Sequence, residues 1–122
     1  MAAPEEINAD MLAFWNGKGG DTWVARQEYT DITLMPVTDA LLAFAAPRAG
    51  ERVAGLDISG PMLAEGTRRA SAAGIANVDW RQADPATAAL DEYDLLTSAF
   101  GVMFFGDRVA ARRCYPEPTL PV

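Results

Sequence analysis

In the first third of the chain the apolar positions recur three and four residues apart, which lines side chains up on one face of a helix. Met11, Leu12, Phe14 and Trp15 crowd one side of a short helix expected over residues 9–15. Asn16-Gly17-Lys18-Gly19-Gly20 then breaks the pattern and reads as a flexible connector. Asp21 or Thr22 can cap a second helix from Trp23 to about Leu34, with Trp23, Ile32 and Met35 as apolar contacts. Pro36 suits the start of a third helix over residues 37–46, where Val37, Ala40, Leu41, Phe44 and Ala45 form a core-facing stripe. Pro47-Arg48-Ala49-Gly50 stops it.

The period then changes. Val53, Leu56 and Ile58 are strand formers, and Asp57 falls at the carboxyl end of the strand they predict. Ser59 or Gly60 can cap the next helix, Pro61 fits its first position, and the helix runs over residues 62–73 to Gly74. A second strand is expected over residues 78–82, and residues 85–90 read as a loop or single turn. After a turn at Asp91-Glu92-Tyr93, a third strand is expected over residues 94–98. Gly101 to Phe105 reads as an apolar loop, and Asp107 can cap a last helix from near Val109. Strand–helix–strand–turn–strand implies parallel pairing with right-handed crossovers, hence an α/β fold. The expected division is a helical leader (residues 1–50), a small α/β core (51–111) and a proline-rich tail (112–122) that cannot extend a helix. No internal repeat or low-complexity tract interrupts this order.

Composition narrows the function classes. A chain of 122 residues suits one domain, and 50% hydrophobic with 22% charged residues predicts folding. A net charge of -7 argues against a nucleic-acid surface, where phosphates demand Lys and Arg. A single cysteine, Cys114, rules out an internal disulfide and fits a reducing compartment. The absence of histidine removes Ser-His-Asp and Cys-His catalysis and imidazole acid–base chemistry. The acidic start, Met1 to Glu6, lacks the apolar stretch of a signal peptide, and no run approaches the ~18 apolar residues of a membrane span. The expectation is a soluble, cytoplasmic protein.

The candidate chemistry centres on Asp57. In open α/β sheets ligands bind outside the carboxyl ends of the strands, where an acid can accept hydrogen bonds from both hydroxyls of a ribose. That points to a nucleotide-like cofactor; the alternative is that Asp57 caps a turn. The glycine-lysine segment at 16–20 lacks the preceding strand and the following Ser or Thr of a phosphate-binding loop.

Several segments together resemble class I S-adenosylmethionine-dependent methyltransferases of the ubiquinone/menaquinone-biosynthesis-like type. They are Phe14-Trp15-Asn16-Gly17 with Trp23 to Glu28, Gly55 to Leu63, Val78 to Asp84, and Tyr93 to Leu96 with Phe100 to Phe105. The resemblance spans most of residues 8–111 and implies a Rossmann-like methyltransferase sheet, mostly parallel. It implies that S-adenosyl-L-methionine is the cofactor and a small molecule the methyl acceptor. Asp57 would then hold the ribose hydroxyls, Ser59 and Met62 would line the adenine side, and Ala83 with Asp84 would edge the adenine. Phe100 and Gly101 would lie nearest the sulfonium. Such enzymes position a reactive methyl donor for in-line attack, so no histidine is needed. Met62 also suits a core position, and Asp84 could simply cap a turn before Pro85.

Two features depart from that family. The acidic-G-x-G-x-G segment that follows its first strand is absent, a gap of about 30 residues on the size of a βαβ unit. The chain also ends in a proline-rich segment where the family continues with further strands, which implies a truncated sheet. Exposed sheet edges of that kind invite a homodimer. Two function classes follow: a small-molecule methyltransferase, or a non-catalytic remnant acting as an interaction module. A nicotinamide-dependent oxidoreductase fails for want of G-x-G-x-x-G before the acid.

Overall fold

A computed structural model describes residues 4–90, 93–99 and 101–106. Three helices lead: α1 (Pro4–Trp15), α2 (Lys18–Ala25) and α3 (Gln27–Ala45). Strand β1 (Val53–Asp57), helix α4 (Gly60–Ala72) and strand β2 (Val78–Gln82) follow, then a short 3-10 helix, Gly101–Phe104. β1 and β2 pair in parallel, with Val53 opposite Val78 and Asp57 opposite Gln82. The architecture is a mixed helix–strand fold with a small parallel sheet behind an N-terminal helical group, consistent with a truncated Rossmann-like methyltransferase fold.

The strand–helix–strand unit forms where the periodicity placed it, but the leader differs from expectation in two places. The glycine-lysine connector is helical: α2 starts at Lys18, and Gly19 and Gly20 are both buried in it. Each helical glycine costs about 1 kcal/mol relative to Ala, so packing must compensate. A Cβ on Gly20 would collide with the Trp15 carbonyl and come within 2.9 Å of Ser59 Oγ, and one on Gly19 would overlap the Phe14 ring. Glycine therefore lets α2 cross close to α1 and to the start of α4.

The second difference is the break between helices. It falls at Arg26, not at Pro36. Arg26 donates its N–H to the Thr22 and Trp23 carbonyls (3.1 Å each), and its own carbonyl accepts Thr30 N–H (3.0 Å), so it ends one helix and begins the next. Pro36 sits inside α3 and leaves the Ile32 carbonyl without its i+4 donor. Ile32 is 70% exposed, so water can take that bond. α3 ends at Ala46 in the left-handed region (φ 45°), with its N–H on the Leu42 carbonyl. Gly74 (φ 70°) closes α4 as the sequence predicts, and Ile75 N–H reaches back to the Ala70 carbonyl at 2.8 Å.

The third strand does not form. Residues 93–99 are irregular, with Leu95 and Leu96 at least half exposed. Tyr93 turns instead towards Arg52, whose guanidinium carbon lies 5.8 Å from the ring centroid. Phe100, the helix expected from Val109 and the tail lie outside the described residues.

One side of the sheet carries a tryptophan slot that stays partly open to solvent, Trp80 being 37% exposed. The Trp80 indole lies between β1 and α4, where a Cβ on Gly55 would come within 2.7 Å of it and one on Gly66 within 3.0 Å. The remaining core is thin. Among the described residues Ala86 is the one buried apolar side chain, while α3 leaves Tyr29 73% and Phe44 80% exposed. No helix among them is long and apolar enough to cross a membrane.

The close crossing at Gly20 gives a stability test. Gly20→Ala should lower unfolding stability by about 1–3 kcal/mol through overpacking, against Ala's better helix propensity. A urea melt reads it, and an unchanged midpoint would show that α2 does not lie against Ser59.

Candidate functional site

The site is built at the carboxyl ends of the two strands, where β1 turns into α4. Asp57 Oδ1 accepts the Ser59 N–H (2.9 Å) and fixes the turn. Ser59 is the N-cap of α4 and is completely buried. Its hydroxyl donates to the Trp15 carbonyl (2.6 Å) and accepts the Met62 N–H (3.3 Å). One side chain thus joins the leader to the first turn of α4.

Asn16 reinforces the junction. Its Nδ2 donates to the Ile58 carbonyl (2.8 Å), and its Oδ1 accepts the Gly60 N–H (2.9 Å) and Gln82 Nε2 (3.0 Å). The end of α1, the β1–α4 turn and the end of β2 therefore meet on one carboxamide. Sequence reasoning placed Asn16 in a connector and in the leader segment that resembles the family, and gave its side chain no role. A short polar residue directly after a helical apolar run was the available signal.

Asp57 is half-buried and lines a groove of about 330 Å³ together with Trp23, Met62, Leu63, Arg69 and Trp80. Its second carboxylate oxygen makes no hydrogen bond among the described residues. That oxygen can accept from ligand hydroxyls while Oδ1 holds the turn. The groove's size is at the lower end for a small-molecule site.

The other residues singled out from the sequence are arranged differently. Ala83 extends the ladder through its N–H on the Asp57 carbonyl (3.0 Å). Asp84 Oδ1 accepts the Ala86 N–H (2.9 Å), the turn-capping geometry that was its alternative reading, and Oδ2 accepts Asn8 Nδ2 (2.5 Å). Asn8 is only 7% exposed, and its Oδ1 has no partner among the described residues. Neither Ala83 nor Asp84 lines the groove beside Asp57. Gly101 is exposed and opens the 3-10 helix, whose Phe104 packs edge-on against Trp15 (5.3 Å between centroids). Trp15 also meets Phe14 (5.0 Å) and Trp23 (5.9 Å) edge-on, so the leader's aromatic residues form one cluster.

Charge on the groove's rim is tied up in one network. Glu65 binds Arg68 and Arg69 (2.7 and 2.8 Å), and Arg69 reaches across to Asp31 on α3 (2.6 Å). The hydrogen bonds from Arg68 and Arg69 hold the Glu65 carboxyl well below its usual value, at about 2. Asp31 is also lowered, by the hydrogen bonds from Arg69 and then Gln27.

The family model described as "Methyltransferase domain" matches residues 38–115, from the second half of α3 onwards. The match covers more than half of the chain, which belongs to this methyltransferase domain family. Members of the family generally bind S-adenosylmethionine. No curated protein and no solved structure matches the chain. α1, α2 and the first half of α3 precede the matched segment.

Two measurements check this geometry. Ser59→Ala removes a buried hydroxyl that satisfies the Trp15 carbonyl and the Met62 N–H, and should cost about 1–3 kcal/mol in a denaturant melt. A loss under a few tenths would refute the junction. The second uses acid. A carboxyl lowered by folding contributes stability that is fully present above its unfolded pKa and is lost as pH falls through the folded one. For Glu65 that window runs from 4.5 down to about 2. The midpoint difference between wild type and Glu65→Gln should therefore shrink as pH falls through this range. A constant difference would mean the network adds nothing, as exposed ion pairs sometimes do.

Proposed function

We propose that this chain binds S-adenosylmethionine in the groove beside Asp57 and is a methyltransferase for a small-molecule acceptor. The observation that carries the reading is Asp57, an acid at a strand's carboxyl end with one oxygen spent on the turn and the other available at a groove. The donor set suits a ribose: a carboxylate takes both vicinal hydroxyls at little geometric cost. Met62 on the same groove wall offers an adaptable apolar contact for a base. The chemistry of methyl transfer needs little more than alignment, because the sulfonium is already activated. In this reading Asp57 and Met62 are the principal cofactor contacts. Ser59 acts through the turn that it caps; Ala83 and Asp84, which the resemblance assigns to the adenine edge, lie outside this groove and act only through the ladder and the turn after β2. The resemblance assigns Phe100 and Gly101 to the sulfonium side. The aromatic leader, Phe14 to Gly17 and Trp23 to Glu28, supports the ubiquinone/menaquinone-biosynthesis-like subtype.

A second reading is a non-catalytic member that serves as an interaction module. The two-stranded sheet and the missing acidic-G-x-G-x-G segment favour it. One experiment separates the two: thermal melts of the purified chain over a range of S-adenosylhomocysteine concentrations. A ligand that binds only the folded state raises the midpoint as its concentration passes the dissociation constant. A dose-dependent rise is expected for the wild type. Asp57→Ala should weaken binding by about 1–3 kcal/mol, the cost of a lost charge-assisted hydrogen bond. A cooperative melt that ignores the ligand would leave the non-catalytic reading standing, and an unchanged affinity in Asp57→Ala would remove Asp57 as a ligand.

A further inference from the structure

A second groove, of about 400 Å³, lies over α2, walled by Phe14 and Trp15 of α1, Trp23 of α2 and the polar residues Lys18, Thr22 and Arg26. Its floor is aromatic. Lys18, Thr22 and Arg26 recur four residues apart, Lys18 opening α2 and Arg26 following its last residue, so the Lys18 and Arg26 backbones border the groove about 12 Å apart at 1.5 Å of rise per residue. Most other cations among the described residues have partners. Arg68 and Arg69 bind Glu65, Arg69 also binds Asp31, Arg81 binds Asp79, and Arg52 lies over Tyr93. Among the described residues no side chain pairs with Lys18 or Arg26. In a chain of net charge -7, two cations without a side-chain partner among the described residues, bordering an aromatic groove, form a local field opposite in sign to the rest of the molecule.

We propose that this groove binds a planar aromatic ligand bearing a carboxylate, its ring stacked among Phe14, Trp15 and Trp23 and its anion on Lys18 or Arg26. Charge complementarity selects the anion, since a guanidinium or ammonium forms its strongest hydrogen bonds with carboxylate oxygens. Aromatic walls select the planar body. Trp23 lines both this groove and the one beside Asp57, so a ligand here sits next to the proposed cofactor groove. This deepens the proposed function and rests on it in one respect: an aromatic acid bound here lies beside the groove proposed for the cofactor.

The test uses 2-naphthoate and its neutral isostere 2-naphthalenemethanol, titrated calorimetrically into the full chain with no cofactor present. Binding of naphthoate about tenfold tighter than the alcohol is expected, the effect of one charge-assisted contact. Lys18→Gln/Arg26→Gln should bring the two ligands to parity while its thermal melt stays at the wild-type midpoint, both residues being exposed. Equal affinity in the wild type, no binding of naphthoate, or a preference that survives the double substitution would each overturn the proposal. Because no cofactor is used, these outcomes are independent of the S-adenosylhomocysteine melt. An S-adenosylhomocysteine shift without naphthoate binding would sink the aromatic-acid groove alone.

Discussion

A buried hydroxyl is the constraint on which the arrangement depends. Ser59 satisfies a carbonyl at the end of α1 and an amide at the start of α4 at the same time. Neither polar group could be buried at that junction without a partner, because an unpaired buried donor or acceptor costs more than a hydrogen bond returns. Around this contact, Asn16 ties the carbonyl of Ile58 and the amide of Gly60 to the leader, and Gly20 gives α2 the clearance to close over both. The turn that presents Asp57 is therefore held from the leader side as firmly as from the sheet side. Asp57 can give one oxygen to that turn and still face the groove with the other.

The glycines have a packing meaning that only the tertiary structure reveals. Gly55 on β1 and Gly66 on α4 are the two sides of the space occupied by Trp80, so the helix approaches the sheet across an indole ring. Trp80 itself stays 37% exposed, few side chains among the described residues are buried, and the apolar surface of α3 stays outward. The cluster of Trp15 with Phe14, Trp23 and Phe104 does at the leader what Trp80 does at the sheet, gathering apolar area without a deep core.

What the sequence reveals divides along local and non-local lines. The unit from Val53 to Gln82 is legible because its signals are local: strand formers ending in an acid, a serine cap, a proline at the first turn, a glycine close. The leader is less so. Gly19 and Gly20 read as a connector because glycine weakens a helix in isolation, and only close packing against Trp15 and Ser59 reverses that preference. Pro36 reads as a boundary because it breaks a hydrogen bond, yet exposed α3 tolerates the loss in water. Residues 94–98 carry strand-forming leucines, but a strand needs a neighbour, and the chain there follows Tyr93 towards Arg52. Asp57 and Met62 share a groove as neighbours on one turn should. The turn that Asp84 caps is legible two residues on, but its bond with Asn8 is not, because Asn8 lies 76 residues away.

That separation bears on how the chain is made. The contact of Ser59 with Trp15 spans 44 residues, and that of Asn8 with Asp84 spans 76. The leader can form its helices early, since helical contacts are local and form within about a microsecond. It has nothing to dock on until β1 and α4 have emerged, and its last bond waits for the end of β2. During synthesis at roughly 5–20 residues per second, Phe14, Trp15 and Trp23 then stay open to solvent for several seconds. The residues that shape the site last leave the ribosome before the elements they pack on.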